Sequence, residues 1–138
     1  MNIQMLVVDD EQNIREMISR HFRYLGYSVI TAANGKEALD VLNKERIEVL
    51  ISDIMMPEMN GVELLKNIRT DYPVLRPIMI TGYVTSENAL SCMKYGAETC
   101  IFKPIQDLTE LESAVNDVIL KRKKWQKIIA GLQRMKSD

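Results

Sequence analysis

The stretch Ser52-Asp53-Ile54-Met55-Met56-Pro57-Glu58-Met59-Asn60-Gly61 decides the fold, because it joins a buried strand to a turn and places an acid between them. Val49-Leu50-Ile51 comes directly before it, and a short continuous apolar run is typical of a strand buried on both faces. Pro57 cannot extend a ladder, and Asn60-Gly61 favours a turn before the next helical pattern. The sequence therefore predicts that Asp53 lies at the carboxyl end of a strand and faces a crevice beside the loop.

The composition predicts one soluble domain with a core of its own. The chain has 138 residues, 46% of them hydrophobic, and its 18 basic and 19 acidic residues give a net charge of −1. This balance offers no overall basic field for nucleic acid or an anionic membrane. The start has no signal-peptide pattern, and no window approaches the roughly 20 apolar residues of a membrane-spanning helix. We therefore expect a cytoplasmic protein without a membrane partner, in which Cys92 and Cys100, lacking metal-ligand spacing, are reduced thiols.

Apolar runs alternate with helical patterns along the chain. Each strand pattern is followed by a helical one, the last beginning near Asp107, and the strand patterns cover Ile3 to Val8, Tyr27 to Ala32, Val49 to Ser52, Pro77 to Thr81 and Thr99 to Phe102. These strands are too apolar for a sheet with one solvated face. Five such units predict a parallel α/β sheet covered by helices on both sides.

Polar residues end four of the five predicted strands. Asp9 and Asp10 follow the first, Asp53 the third, Thr81 the fourth and Lys103 the fifth. In an open parallel sheet, ligands bind beyond the carboxyl ends of the strands, where the strand order reverses. If the order is 2-1-3-4-5, three carboxylates, a hydroxyl and an ammonium group share one crevice.

Three neighbouring carboxylates repel one another, and this repulsion indicates what the crevice binds. At an effective dielectric constant near 20, a pair about 5 Å apart costs roughly 3 kcal/mol. Lys103 offsets part of that cost, and an all-oxygen acidic cluster favours Mg²⁺, which takes one or two carboxylates together with waters and phosphate oxygens. A dication, a hydroxyl and an ammonium group around one carboxylate suit a phosphoryl group. Asp53 is then the expected nucleophile, becoming an acyl phosphate.

Four short motifs together resemble the response-regulator receiver domain of two-component signalling, whose members include chemotaxis regulators. They stand in the family's order on the predicted strand ends: Val7-Val8-Asp9-Asp10-Glu11, Asp53-Ile54-Met55-Met56-Pro57 with Gly61, Thr81-Gly82, and Lys103-Pro104. The resemblance covers about residues 1–120. It implies a flavodoxin-like (βα)5 doubly wound parallel sheet with strand order 2-1-3-4-5. The Lys103-Pro104 bond resembles the family's cis peptide bond.

The resemblance also implies roles for the residues that match the motifs. Asp53 would accept a phosphoryl group from the phosphohistidine of a sensor histidine kinase or a phosphotransfer protein. Asp10, Asp53 and the backbone carbonyl of Met55 would contact Mg²⁺, with Asp9 helping directly or through water. Lys103 would pair with the phosphoryl oxygens.

Thr81 would donate a hydrogen bond to the same phosphoryl group, and Gly82, Tyr83 and Cys100 would be associated with the switch. The family usually places an aromatic residue three positions before the lysine, where this chain has Cys100. A thiol cannot rotate inward as a tyrosine ring would. We therefore expect signalling to use backbone movement near Thr81 to Tyr83, or Phe102.

Met55 and Tyr83 occupy the two positions that flank the attacking water in this family. Neither side chain orients a water molecule easily, since the thioether is only a weak acceptor. The resemblance therefore predicts slow self-hydrolysis of the phosphorylated chain.

A heptad seam leads from the last predicted helix past the expected end of the domain. Its members are spaced by four and three residues and are Leu111, Val115, Val118, Arg122, Trp125, Ile129 and Leu132. We assign 1–120 to the receiver domain and 121–138 to a helical extension. The extension could fold back on the domain, form a homodimer, or lead to a C-terminal effector domain. Its basic cluster is more typical of a solvated face than of a nucleic-acid site.

Two other functions use the same chemical groups. A Mg²⁺-dependent aspartyl phosphatase of the haloacid-dehalogenase type would need an Asp-x-Asp pattern after the first strand, but this chain has Asp9-Asp10-Glu11. A pseudo-receiver scaffold would never be phosphorylated, and the complete set of polar residues argues against it. The favoured interpretation is a phosphorelay receiver that is not an enzyme, because it catalyses only its own phosphorylation and slow dephosphorylation.

Overall fold

The computed structural model describes residues 2–82, 85–105 and 107–137, and its elements alternate as the sequence predicts. The strands are Gln4–Val8 (β1), Ser28–Ala32 (β2), Val49–Asp53 (β3), Ile78–Thr81 (β4) and Thr99–Phe102 (β5), and the helices are Gln12–Tyr24 (α1), Gly35–Lys44 (α2), Gly61–Asp71 (α3), Ser86–Lys94 (α4) and Thr109–Ser137 (α5).

The five strands form one parallel sheet in the order β2-β1-β3-β4-β5, which confirms the predicted topology. The strand order reverses between β1 and β3, whose register pairs Val8 with Ser52. One step further along both strands, Asp9 and Asp53 lie at the same level of the sheet. The predicted switch point therefore has an acidic residue on each side.

Burial on both faces explains why the strands are continuous apolar runs rather than alternating ones. All five residues of β3 are buried, including Ser52 and Asp53 at its polar end. One core layer packs under α1 and α5 and includes Met5, Val7, Ile18, Phe22 and Val115. The opposite layer packs under α2 and α3 and includes Leu6, Val8, Leu42, Leu64 and Ile68. The prediction of a sheet covered on both sides is thus confirmed.

Short polar side chains determine where several helices begin. The side chain of Asn34 accepts a hydrogen bond from the Glu37 amide at the start of α2, and Asn60 does the same for Glu63 in α3. Such caps satisfy amide groups that have no partner within the helix. The last helix begins at Thr109, two residues later than predicted, because the Asp107 carboxylate accepts a hydrogen bond from the Thr109 amide.

Helix α5 is much longer than the sheet requires. It has 29 residues, which corresponds to about 43 Å. Leu111, Val115 and Val118 are buried against the sheet, whereas Trp125 and Ile129 of the same seam are exposed. The helix runs without interruption through residues 120 and 121. The division of the chain at that point stays a prediction.

Candidate metal- and phosphoryl-binding site

The carboxyl ends of β1, β3 and β5 bring two buried carboxylates and one ammonium group together. Lys103 Nζ lies 3.1 Å from Asp9 Oδ2 and 3.2 Å from Asp53 Oδ2. Asp9 and Asp53 are 0% and 3% exposed, and the Lys103 side chain is also largely buried. The three residues are separated by 44 and 50 positions in the chain, so the sheet topology is what unites them.

Glu11 is a third partner of Lys103, and no role was predicted for it from the sequence. Its Oε1 lies 3.1 Å from Lys103 Nζ, and its side chain is mostly exposed. The Glu11 amide also donates a 2.8 Å hydrogen bond to Asp9 Oδ1. The position of Glu11, directly after the acidic pair, was the available signal. Its contact with Lys103 depends on how the chain turns into α1, which the residue types alone do not specify.

Burial raises the proton affinity of the two interior carboxylates. Burial and, second, the negative charge of Asp9 raise the pKa of Asp53 to about 6, although Lys103 and the Met55 amide act in the opposite direction. Burial likewise raises the pKa of Asp9, with the Glu11 amide and Lys103 opposing it. Near neutral pH, the site is therefore crowded with negative charge that a cation would stabilise.

Lys103 is held in its charged form. Burial lowers its pKa, but its close contact with Asp9, the charges of Asp9 and Asp53, and a hydrogen bond to Glu11 more than compensate and keep the pKa above its ordinary value. One ammonium group thus faces three carboxylates. It can neutralise only part of their negative charge, so a second cation would stabilise the site further.

The donor set fits a hard dication. One carboxylate oxygen from each of Asp9, Asp10 and Asp53 lies within 4.8 Å of the other two, and the Asp10 residue is exposed. Asp9 Oδ2 is buried and accepts no well-directed hydrogen bond from the part of the chain that the structure describes. A buried oxygen of this kind is a candidate metal ligand, and three carboxylates without thiolate or imidazole favour Mg²⁺ over zinc.

The loop after β3 is fitted tightly around Asp53. The Met55 amide donates a 3.3 Å hydrogen bond to Asp53 Oδ1, and the Met55 side chain is about half exposed beside the site. A Cβ atom on Gly61 would lie 2.3 Å from the Asp53 carbonyl oxygen, so only glycine fits there. Glu58 has a φ of 67°, an uncommon conformation for a residue with a side chain.

The remaining predicted site residues lie at the ends of β4 and β5. Thr81 is buried, and its carbonyl oxygen accepts a 2.7 Å hydrogen bond from the Lys103 amide. Gly82 lies against the side chain of Lys103. The Lys103-Pro104 bond is cis, as the resemblance implies. Tyr83 lies outside the described residues.

Cys100 packs toward the interior beside the buried Cys92 of α4. Burial and the neighbouring Cys92 raise the pKa of Cys100 to about 11, so both thiols stay protonated at neutral pH. At the carboxyl end of β5, Phe102 is 61% exposed. The aromatic side chain predicted as an alternative to the usual switch residue is therefore on the surface.

The fold and the site together define a class: an α/β domain whose acidic crevice at the strand-order reversal is suited to a dication and a phosphoryl group. The family model described as the response regulator receiver domain matches residues 5–130. The chain belongs to this family, and it is a receiver domain of two-component response regulators.

Individual relatives agree with the family match. The response regulator SaeR of Staphylococcus aureus is 32% identical over 88% of this chain and 52% of its own length, so the chain spans about half the length of the curated relatives it matches. A receiver domain protein from Clostridium thermocellum has a TM-score of 0.83 and 31% identity, covering 89% of this chain and 98% of that one. The response regulator TrrA of Thermotoga maritima, solved in complex with Mg²⁺-BeF, has a TM-score of 0.76 and 33% identity, covering 84% and 98%.

Membership in this family favours the signalling interpretation over the phosphatase alternative, because receiver domains are generally signalling domains rather than enzymes.

Across the described parts of the chain, no helix combines the length and the apolar character that crossing a bilayer requires.

Proposed function

We propose that Asp53 is the phosphoacceptor of this receiver domain. The observation that carries the proposal is the position of Lys103 Nζ, which lies 3.1 Å from Asp9 Oδ2 and 3.2 Å from Asp53 Oδ2 at the carboxyl ends of the strands, where the strand order reverses. In the transfer, an Asp53 carboxylate oxygen attacks the phosphorus of a phosphohistidine. The P–N bond breaks, an acyl phosphate forms on Asp53, and the histidine nitrogen takes the leaving electron pair.

The surrounding residues supply charge and position rather than further covalent chemistry. Asp9, Asp10, Asp53 and the backbone carbonyl of Met55 would hold Mg²⁺, which would neutralise phosphoryl oxygens when bound. The relative solved with Mg²⁺-BeF supports this choice of ion.

Lys103 would exchange its contact with Asp53 for a phosphoryl oxygen and keep its contacts with Asp9 and Glu11. Thr81 would donate its hydroxyl hydrogen to another phosphoryl oxygen. The three contacts of Lys103 hold its ammonium group at the site before the phosphoryl group arrives, so little reorganisation is needed during transfer.

The test is incubation of the chain with acetyl phosphate and Mg²⁺, followed by intact mass measurement. We expect one added phosphoryl group on the wild type, none on Asp53→Asn, and none when a chelator replaces Mg²⁺. The exposed Asp40→Asn in α2 is the matched control and should be labelled like the wild type. Equal labelling of Asp53→Asn would refute the assignment, and an unlabelled wild type would favour the pseudo-receiver.

The phosphorylated chain should lose its phosphoryl group slowly. Met55 is exposed at the opening of the site and offers only a thioether to a water molecule. We expect the added mass to persist through purification, and Met55→Asn to shorten its lifetime several-fold because an amide can orient water. A phosphoryl group lost within the time of purification from the wild type would contradict this expectation.

The proposed partners are a sensor histidine kinase or a phosphotransfer protein, in the cytoplasm. With Cys100 in the usual aromatic position, we propose that the signal leaves through backbone movement near Thr81 or through the exposed Phe102. A homodimer through 121–138 and a C-terminal effector domain remain predictions. Light scattering with and without acetyl phosphate tests the first of these, since a phosphate-dependent doubling of mass would support it.

A further inference from the structure

A groove separates the exposed half of α5 from the loop between α3 and β4. Its volume is about 470 Å³. Trp125 and Ile129 form the α5 wall, Pro73 and Val74 form the loop wall, and the buried Val118 lies where the walls meet. The groove therefore lies near the amino ends of the strands, whereas Asp53 lies at their carboxyl ends, because the α3–β4 loop precedes a strand and the site follows the strands.

Both walls expose apolar side chains to solvent. Val74 is 77% exposed, Trp125 is 64% exposed and Ile129 is 49% exposed. The apolar face of α5 continues beyond the groove with Leu132 and Met135, at helical spacing from Trp125. A continuous apolar face of this kind, open on two walls of one groove, indicates a docking surface.

The rim of the groove is basic. Arg76, Lys121 and Arg122 line it, and Glu98 is the one carboxylate among the described lining residues. Glu98 is already engaged, since its Oε2 lies 2.6 Å from Lys121 Nζ. Beside the groove, the guanidinium groups of Arg69 and Arg76 both lie next to Gly96. A Cβ atom on Gly96 would be 2.9 Å from Arg69 Nη1 and 2.7 Å from Arg76 Nη1, so the two guanidinium groups are close to each other. Two like charges held this close favour an anion between or beside them.

The basic residues of the chain are concentrated in the segment that forms the α5 wall of the groove. Seven of its 18 basic residues lie between 121 and 137, and only one of its 19 acidic residues lies beyond 120. Residues 1–120 therefore carry 11 basic and 18 acidic residues, a formal charge of −7, whereas 121–137 carries +7. A basic helix with one apolar face is typical of segments that bind either a membrane surface or an acidic protein, and the shape of the groove distinguishes between these two.

We propose that this groove binds an acidic amphipathic helix of another protein. The helix would place apolar side chains between Trp125 and Val74 and carboxylates beside Arg76 and Arg122, as in other complexes of a helix with a groove. A second copy of this chain fits less well, because it would bring the same basic segment to a basic rim. A flat bilayer fits less well because a planar surface cannot enter the concave groove between Trp125 and Val74.

Trp125 is the single tryptophan of the chain, so its fluorescence reports directly on the groove. The probe is a peptide of about 18 residues, roughly 27 Å as a helix, with leucine along one face and glutamate elsewhere. The matched peptide has lysine in place of every glutamate. Titrating the acidic peptide into the full chain should shift the Trp125 emission to shorter wavelength, and raising the salt concentration should weaken binding. The lysine peptide should leave the emission unchanged.

Three variants test the geometry. Arg76→Glu combined with Arg122→Glu should weaken binding at least about tenfold, because two attractive contacts become repulsive. Val74→Asp, at a mostly exposed position, should also weaken binding while leaving the fold intact. The control is Lys127→Glu, which makes one such charge reversal two positions after Trp125, on the opposite face of the helix. It should change the affinity by less than about twofold.

The other occupants give distinct results, and each would overturn the proposal. A shift in emission that depends on protein concentration alone, with doubled mass in light scattering, would assign the groove to a second copy. A shift with phosphatidylglycerol vesicles but not with the acidic peptide would assign α5 to a membrane surface. Equal affinity for both peptides, or an affinity for the acidic peptide that Val74→Asp leaves unchanged, would show that the charged, two-walled groove is not the site.

Discussion

Replacing Asp53 with asparagine should stabilise the metal-free protein. The carboxylate is buried beside Asp9, and its pKa is raised from 3.8 to about 6. Each tenfold increase in proton affinity corresponds to 1.36 kcal/mol, so ionised Asp53 destabilises the folded chain by about 3 kcal/mol at most. Asparagine avoids this cost, and Lys103 keeps Asp9 and Glu11 as partners. The raised pKa already includes the opposing effect of Lys103, so we expect a net gain of up to about 3 kcal/mol, or about 10 °C in Tm.

The pH dependence of this gain identifies its cause. Asp53 binds its proton more tightly in the folded chain than in the unfolded chain, so folding takes up a proton between pH 3.8 and about 6. The stability of the wild type therefore falls as the pH rises through this interval, while the variant lacks this loss. The difference between the two proteins should be near zero at pH 4, grow up to about pH 6 and stay constant above it.

The assay is urea denaturation in a chelating buffer at several pH values, followed by far-ultraviolet circular dichroism. Trp125 is a poor reporter of global unfolding because it is largely exposed in the folded chain. Asp40→Asn removes an exposed carboxylate from α2 and serves as the control, with little expected change. An Asp53→Asn protein that is no more stable than the wild type at pH 7.5, or equally stabilised at pH 4 and 7.5, would refute the electrostatic reasoning. Adding Mg²⁺ should narrow the difference, since the ion stabilises the wild type more.

Two substitutions and one reactivity measurement provide further tests. Glu58→Gly should raise the free energy of unfolding by about 0.5–1 kcal/mol, since glycine adopts the observed φ of 67° without strain. A lower free energy of unfolding in urea denaturation would contradict this expectation. Gly61→Ala should lower it by more than about 2 kcal/mol, because the new Cβ would lie 2.3 Å from the Asp53 carbonyl oxygen; a neutral result would show that the loop can move. Cys100, with its pKa raised to about 11, should react with iodoacetamide at pH 8 far more slowly in the folded protein than in urea, as mass spectrometry would show.

The sequence predicted the sheet well because its strands are buried on both faces. A run such as Val49-Leu50-Ile51 has few alternatives once helices must cover both sides. The placement of Asp9, Asp53 and Lys103 followed from the rule that ligands bind at the strand-order reversal, together with the family resemblance. These expectations depend on topology, which tolerates small errors in the ends of elements such as β3.

What the sequence could not predict depends on the directions of single side chains. Asp9 and Asp10 are adjacent and chemically identical, yet one is buried and the other exposed. The contact between Glu11 and Lys103 and the approach of Arg69 to Arg76 also join residues from different elements. No periodicity or spacing specifies such pairs, because each requires the final rotation of a loop or helix against its neighbour.

The uninterrupted course of α5 has a mechanical consequence. Leu111 is anchored under β-strands that end at the acidic site, and Met135 lies about 36 Å farther along the same rod. At a rise of 1.5 Å per residue, a tilt of about 5° about the anchored end would displace the distal end of this segment by roughly 3 Å. Any rearrangement near Asp53 that tilted this helix would therefore produce a larger displacement at its distal end.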